Sequence, residues 1–182
     1  MRWPFCRQSP VADPSPAPRK VTATLAIALE AGPFDPFEAL KSWSDGSEAP
    51  AVTHFIGRVR GWSAAGEPLA ALELEHYPGM TDAQLERLAA EAAVRHGVLA
   101  VLVRHRVGKV RPGEAIVLVA VAADRRGPAQ RCCQELLEAL KHEAPFWKKE
   151  VRVDGNGRWV EGNTPLTERE RSGTAEPQRE QP

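Results

Sequence analysis

Apolar and polar positions change their period several times along the chain, and each change marks an element. "KVTATLAIALEAG" (20–32) reads as a strand, and "FDPFEALKSW" (34–43) as a short helix with Asp35 as N-cap and Pro36 at the first helical position. "AVTHFIGRVRGW" (51–62) is a β-rich run. "LAALELEHY" (69–77) alternates well enough to be its hairpin partner across a loop at Ser63 to Pro68. The clearest helix is "PGMTDAQLERLAAEAAVRHG" (78–97): Thr81 with Gln84 fits a capping box, Leu85, Leu88, Ala89 and Ala92 make one apolar face, and Gly97 stops it.

Two strong strands follow, "VLAVLVRHRV" and "AIVLVAVAA", separated by the turn "GKVRPGE"; the unbroken apolar run of the second predicts a central strand covered on both faces. A second long helix begins near Pro128 and carries Ala129, Cys132, Cys133, Leu136, Leu137 and Leu140 on one side. "EVRV", a turn at "DGNG" and "RWVEG" make a closing hairpin. About three helices against six or seven strands, with hairpin-type neighbours, predict an α+β fold with helices on a mostly antiparallel sheet.

Composition bounds this picture. At 182 residues, 42% hydrophobic and 26% charged, the chain can bury one core without disulfide or metal staples. Residues 1–18 carry five prolines and read as a disordered extension, residues 167–182 as a disordered tail, and the folded part as about residues 19–166. The formal net charge is zero, which argues against a protein that blankets nucleic acid or acidic membrane. Neither a signal-type apolar run nor the roughly 20 apolar residues of a membrane span is present. Cys6, Cys132 and Cys133 have no metal-ligand spacing, so a reducing, cytoplasmic setting is the simplest reading.

No nucleophile constellation, HExxH, Walker or GxGxxG signature appears. His54, His76, His96, His105 and His142 are dispersed, without ligand spacing, and Cys132 and Cys133 read as small buried hydrophobes. What stands out is cationic. Arg58 and Arg60 share a face at strand spacing, while Arg125 and Arg126 precede a helix whose free N–H groups favour an anion. Lys141 falls at the edge of the apolar stripe, and beyond Pro145 the aromatics Phe146 and Trp147 can anchor a turn that aims Lys148. A lysine near other cations or in an apolar wall has its pKa lowered and becomes usable for acid/base work; snorkelling surface lysines are the plainer alternative.

The series "FIGRVRG", "LELEHYPGM", "RHRVGKVRPGE", "LKHEAPFWKKE" and "GRWVEG", in this order and at these intervals, resembles the large, catalytic subunit of molybdopterin synthase over residues 20–163. The resemblance implies an α/β hammerhead-like fold with a smaller β-rich part, and a sulfurtransferase of molybdenum-cofactor biosynthesis. Its substrate would be cyclic pyranopterin monophosphate, precursor Z, converted to molybdopterin. Sulfur would come from the C-terminal Gly-Gly thiocarboxylate of a small ubiquitin-like subunit, within a heterotetramer built on a large-subunit dimer, and neither cofactor nor metal is implied.

Carried over by motif, Lys141 and Lys148 would be catalytic, and Phe55, Arg58, Val59, Arg60, Arg125, Arg126, Lys149 and Glu150 would bind substrate. The chain departs from the family where Arg125 takes a histidine position, in the segment "GWSAAGEP", and near Asn163, where an arginine is usual. The first departure leaves Lys141 the leading acid/base. It also motivates a rival, a module that docks the small partner without turnover. A nucleic-acid-binding reading of the same cations is opposed by the zero net charge and the few aromatics available for stacking.

Overall fold

The computed structural model describes residues 22–160. The proline-rich segment, the tail and the departure near Asn163 lie outside the described residues.

The apolar run Ala115–Ala123 (β6) is the spine. It lies inside a four-stranded sheet ordered β1-β4-β6-β2, where β1 is Thr24–Glu30, β2 Ala51–Arg58 and β4 Ala100–Arg106. β4 and β2 pair with β6 antiparallel, and β1 runs parallel to β4. Because side chains alternate along a strand, β6 presents two apolar faces. Val117, Val119, Val121 and Ala123 pack with Leu85, Leu88, Ala92, Cys132 and Leu136 from the helices α2 (Met80–His96) and α3 (Arg126–His142). Leu118 and Ala120, with Leu102 of β4, pack under Leu40 and Trp43 of the short helix α1 (Pro36–Ser44). The doubly covered strand expected from its composition is observed.

A second, fully antiparallel sheet is ordered β5-β3-β7-β8, with β3 Leu69–His76, β5 Gly108–Val110, β7 Phe146–Arg152 and β8 Gly157–Trp159. Its own core is small: Val59, Leu74 and Val110 are buried there, with Leu72, Ile116 and Phe146 packed against them. α3 leaves the first sheet and delivers the chain to β7 in the second, so the groove between the sheets is closed on one side by the end of that helix. The α+β class is therefore observed.

Several local details differ from expectation. β2 and β3 are not a hairpin; β2 pairs with β6 and β3 with β7 and β5, and the segment between them keeps only a bridge at Trp62 and Pro68. Alternation identifies both strands but is blind to which neighbour wins. The segment expected as a turn at 108–114 contains β5. At the start of α2 the cap is Gly79, at φ +81°, whose N–H is accepted by the Asp82 carboxylate at 2.8 Å. Thr81 is buried, its hydroxyl accepting from Tyr77 N–H instead of capping with Gln84. α1 starts as expected, Asp35 accepting from Phe37 and Glu38 N–H, and α2 stops at Gly97 in the left-handed region.

The α2–α3 contact is apolar beneath and ionic above, where Glu135 accepts from both Arg95 and His96. Leu136 is completely buried beneath that cluster. Leu136→Ala should lose about 2–5 kcal/mol, the usual cost of a large-to-small change in a packed core, read as a lowered urea midpoint with an unchanged slope.

Candidate functional site

The floor of the site is a row across three strands. In the register of the first sheet, His105 of β4, Val117 of β6 and Gly57 of β2 stand side by side, on the face that α3 covers. Gly57 leaves a gap there: a Cβ would lie 2.9 Å from Val117 Cγ1 and 3.2 Å from the Phe55 ring. Immediately after it the register shifts, so that Arg58 pairs with Ala115 and the strand is re-aimed by a bulge. Arg58 and Arg60 then line one cavity, while Val59 between them turns its side chain into the small core of the second sheet.

α3 supplies the wall. Leu137 and Lys141 are one turn apart on one face, with Leu140 beside them, so the apolar stripe that seats the helix carries Lys141 to the cavity edge. After the helix ends at His142, β7 contributes the remaining wall: Phe146, Lys148 and Glu150 alternate onto the inner face. The cavity measures about 470 Å³ and brings together Phe55, Arg58, Arg60, Lys141 and Lys148. An adjoining recess of about 210 Å³ shares those four cations and adds Val59 and Glu150. Phe55 is 41% exposed at the rim, available to a ligand.

Three expected site residues stand elsewhere. Lys149 points to the opposite face of β7, its Nζ 5.6 Å from the centre of the Trp159 ring. Arg125 is the N-cap of α3 and Arg126 its first residue, some 16 residues and about 24 Å of helix from Lys141. Within one chain neither arginine joins the cavity. Trp147 does not anchor a buried turn either; it is 45% exposed and meets Tyr77 edge-on at 5.1 Å, leaving Phe146 as the packed aromatic.

The electrostatics follow from this crowding. Burial pushes the Lys148 ammonium below its ordinary range, and the nearby Lys141 charge lowers it further. His105 is pushed down to about 4, chiefly by burial and also by Lys148, against the raising effect of its bond to the Arg106 carbonyl. The thiols of Cys132 and Cys133 are pushed up to about 12 and about 11 by burial, so neither is a nucleophile at neutral pH. Among the described residues no group of three or more His, Cys, Asp or Glu side chains could hold a metal ion.

The site is a cation-rich, apolar-floored cavity built from β2, α3 and β7, and its sequence carriers match a known family. A family model described as MoaE protein matches residues 29–143. The chain belongs to the MoaE family. A relative from Mesorhizobium japonicum, named molybdopterin synthase catalytic subunit, is 43% identical over 145 residues, covering 78% of this chain and 89% of its own. The solved structure of the molybdopterin biosynthesis MoaE protein from Burkholderia ambifaria has a TM-score of 0.62 at 40% identity, covering 78% of this chain and 91% of that one. A chain of the complex of subunits 1 and 2 of molybdopterin-converting factor from Helicobacter pylori shares the fold, with a TM-score of 0.63 at 24% identity over 85% of this chain and all of that one.

Spacing did not single out His105 and Glu138, which also line the cavity of this MoaE chain. His105 had a readable signal in its alternation with the core positions Val101 and Val103 of β4, which puts it on the helix-covered face.

Two outcomes are expected here. Lys141→Met removes a like charge while keeping an apolar stem, so Lys148 should titrate at higher pH than in the parent, followed by NMR of ¹³C-methylated lysines; an unmoved Lys148 would refute the coupling. Gly57→Ala should destabilise by about 1–3 kcal/mol through overpacking of the floor, measured by urea denaturation.

Proposed function

We propose that this chain is the catalytic subunit of a molybdopterin synthase, converting precursor Z to molybdopterin with sulfur delivered as the C-terminal thiocarboxylate of a small ubiquitin-like subunit. The observation that carries the reading is the convergence of Arg58, Arg60, Lys141 and Lys148 on one cavity in a chain of zero net charge. Local positive potential without global charge suits a small anionic ligand better than a polyanion. Membership in the MoaE family, and the name carried by the Mesorhizobium relative, support the same substrate.

In this mechanism the two arginines hold the substrate phosphate, since a guanidinium stays charged and meets phosphate with paired N–H donors. The partner's thiocarboxylate, also anionic, enters the same field and presents its sulfur to the pterin side chain. Lys141 and Lys148 move the protons: burial, and then the neighbouring Lys141 charge, lower the Lys148 pKa, so its ammonium is a better proton donor and its amine is available to take a proton back. The buried, strongly raised thiols favour a sulfur supplied from outside the chain over one held on Cys132 or Cys133.

The assembly we propose is the family's large-subunit dimer with a small subunit at each end, in a cytoplasmic setting; the Helicobacter structure, by its title a complex of subunits 1 and 2, supports the pairing. A second protomer would be the route by which Arg126 reaches a substrate, and Lys149 is assigned to the outer face of β7 instead of the cavity. Arg125 motivates the rival reading of a docking module without turnover. That residue caps the distant end of α3, so its identity leaves the four cations of the cavity in place.

Reconstitution with purified chain, precursor Z and thiocarboxylated partner tests the reading. Lys141→Ala should slow product formation by about 10²–10⁴-fold, the usual worth of a positioned proton donor. The adjacent, exposed His142 should tolerate alanine with less than a twofold change. Product at the parental rate from the lysine variant would remove Lys141 from the mechanism.

A further inference from the structure

His105 has no part in the mechanism above, yet it is the only uncharged hydrogen-bonding side chain among the described residues lining the 470 Å³ cavity. Every other polar group there is ionic: Arg58 at the end of β2 and Arg60 just beyond it, Lys141 and Glu138 from α3, and Lys148 from β7. A cavity made of cations can grip a phosphate, but it offers a bound heterocycle donors and almost no acceptors.

The fold fixes which nitrogen of His105 is the acceptor. Nδ1 lies 2.8 Å from the carbonyl oxygen of Arg106. A carbonyl can only accept, so Nδ1 carries the hydrogen and Nε2 the lone pair. The ring lies flat on Phe146, centroids 4.2 Å apart and planes 11° from parallel, so turning it would lose both contacts. Burial keeps the imidazole uncharged at neutral pH. Arg106 Nε is the buried side-chain polar atom without a partner among the described residues; His105 Nε2 is therefore not sealed away as an orphan.

We infer that His105 Nε2 accepts a hydrogen bond from an N–H or O–H donor of the bound substrate, orienting its neutral heterocyclic edge while the arginines and lysines take its negative charge. The inference rests on the pyranopterin phosphate reading, because a pterin ring carries N–H donors and inorganic phosphate has no comparable edge. It adds a specificity element: the cavity would distinguish a donor-bearing heterocyclic phosphate from a bare anion.

The test is titration calorimetry on the full chain with precursor Z and, separately, inorganic phosphate. His105→Phe keeps a ring to stack on Phe146 and removes the acceptor. It should weaken precursor Z about ten- to a hundredfold, the range for leaving a buried polar group unpaired, and leave phosphate affinity unchanged. His105→Gln, whose Oε1 can accept, should recover most of the loss. In the unsubstituted protein the ¹⁵N resonance of His105 Nε2 should move on adding precursor Z and stay in place with phosphate, a readout independent of how the variants fold.

In turnover, KM should rise more than kcat falls, with the pH profile unmoved. Equal binding of precursor Z by parent and His105→Phe would overturn the inference alone. So would a shifted pH profile at constant KM, which would place His105 behind Lys148 instead of against substrate. Failure of the parent itself to bind precursor Z would overturn the functional reading and this inference with it.

Discussion

The burial of β6 on both faces is the constraint on which the remaining structure depends. Val117, Val119 and Val121 face α2 and α3, and Leu118 and Ala120 face α1, so a slip of one residue would exchange the two packings. That exchange is prohibitive in a close-packed interior, because the two sides have different shapes and volumes. The fixed strand then fixes its neighbours. His105, Val117 and Gly57 align across β4, β6 and β2, and the gap above Gly57 becomes the floor of the cavity.

From that floor upward, packing decides where charge goes. α3 is seated by Cys132, Cys133, Leu136 and Leu140, and this seating carries Lys141 to the cavity edge. β7 is held by pairing with β3, which sets the phase that turns Lys148 inward and Lys149 outward. The apolar contacts thus offset the repulsion of the clustered cations: four positive groups share a wall with few carboxylates, and the desolvated Lys148 ammonium bears part of the cost in a lowered pKa. A small anion entering this cavity would relieve the repulsion, so complementarity to negative charge is built into the folded state before any ligand arrives.

A cationic field alone draws any small anion, so discrimination requires a group that reads shape or hydrogen bonding instead of charge. The uncharged imidazole held between the Arg106 carbonyl and the Phe146 ring is the element of the cavity suited to that task. Its rigidity matters as much as its chemistry, since a pre-oriented acceptor spends little entropy on binding. In the function and inference proposed, electrostatic attraction and directional selection are divided among residues from different parts of the chain, the end of β2, α3 and β7 for the first and β4 for the second.

The sequence by itself determined whatever depends on local period and chemistry. It specified the doubly covered β6, the cap at Asp35, the stop at Gly97, the shared face of Arg58 and Arg60, and the position of Lys141 at the edge of an apolar stripe. These follow from repeats of two or 3.6 residues, which one segment contains within itself. Only the tertiary structure decided which strands pair, because β2 and β3 have the same alternation whether they meet each other or β6 and β7. It also decided that Lys149 leaves the cavity, that Arg125 and Arg126 stand a helix-length away, and that His105 enters. Residues more than 40 positions apart converge there, and no local pattern encodes such a meeting. It arises from the packing of α3 against one sheet and the pairing of β7 in the other.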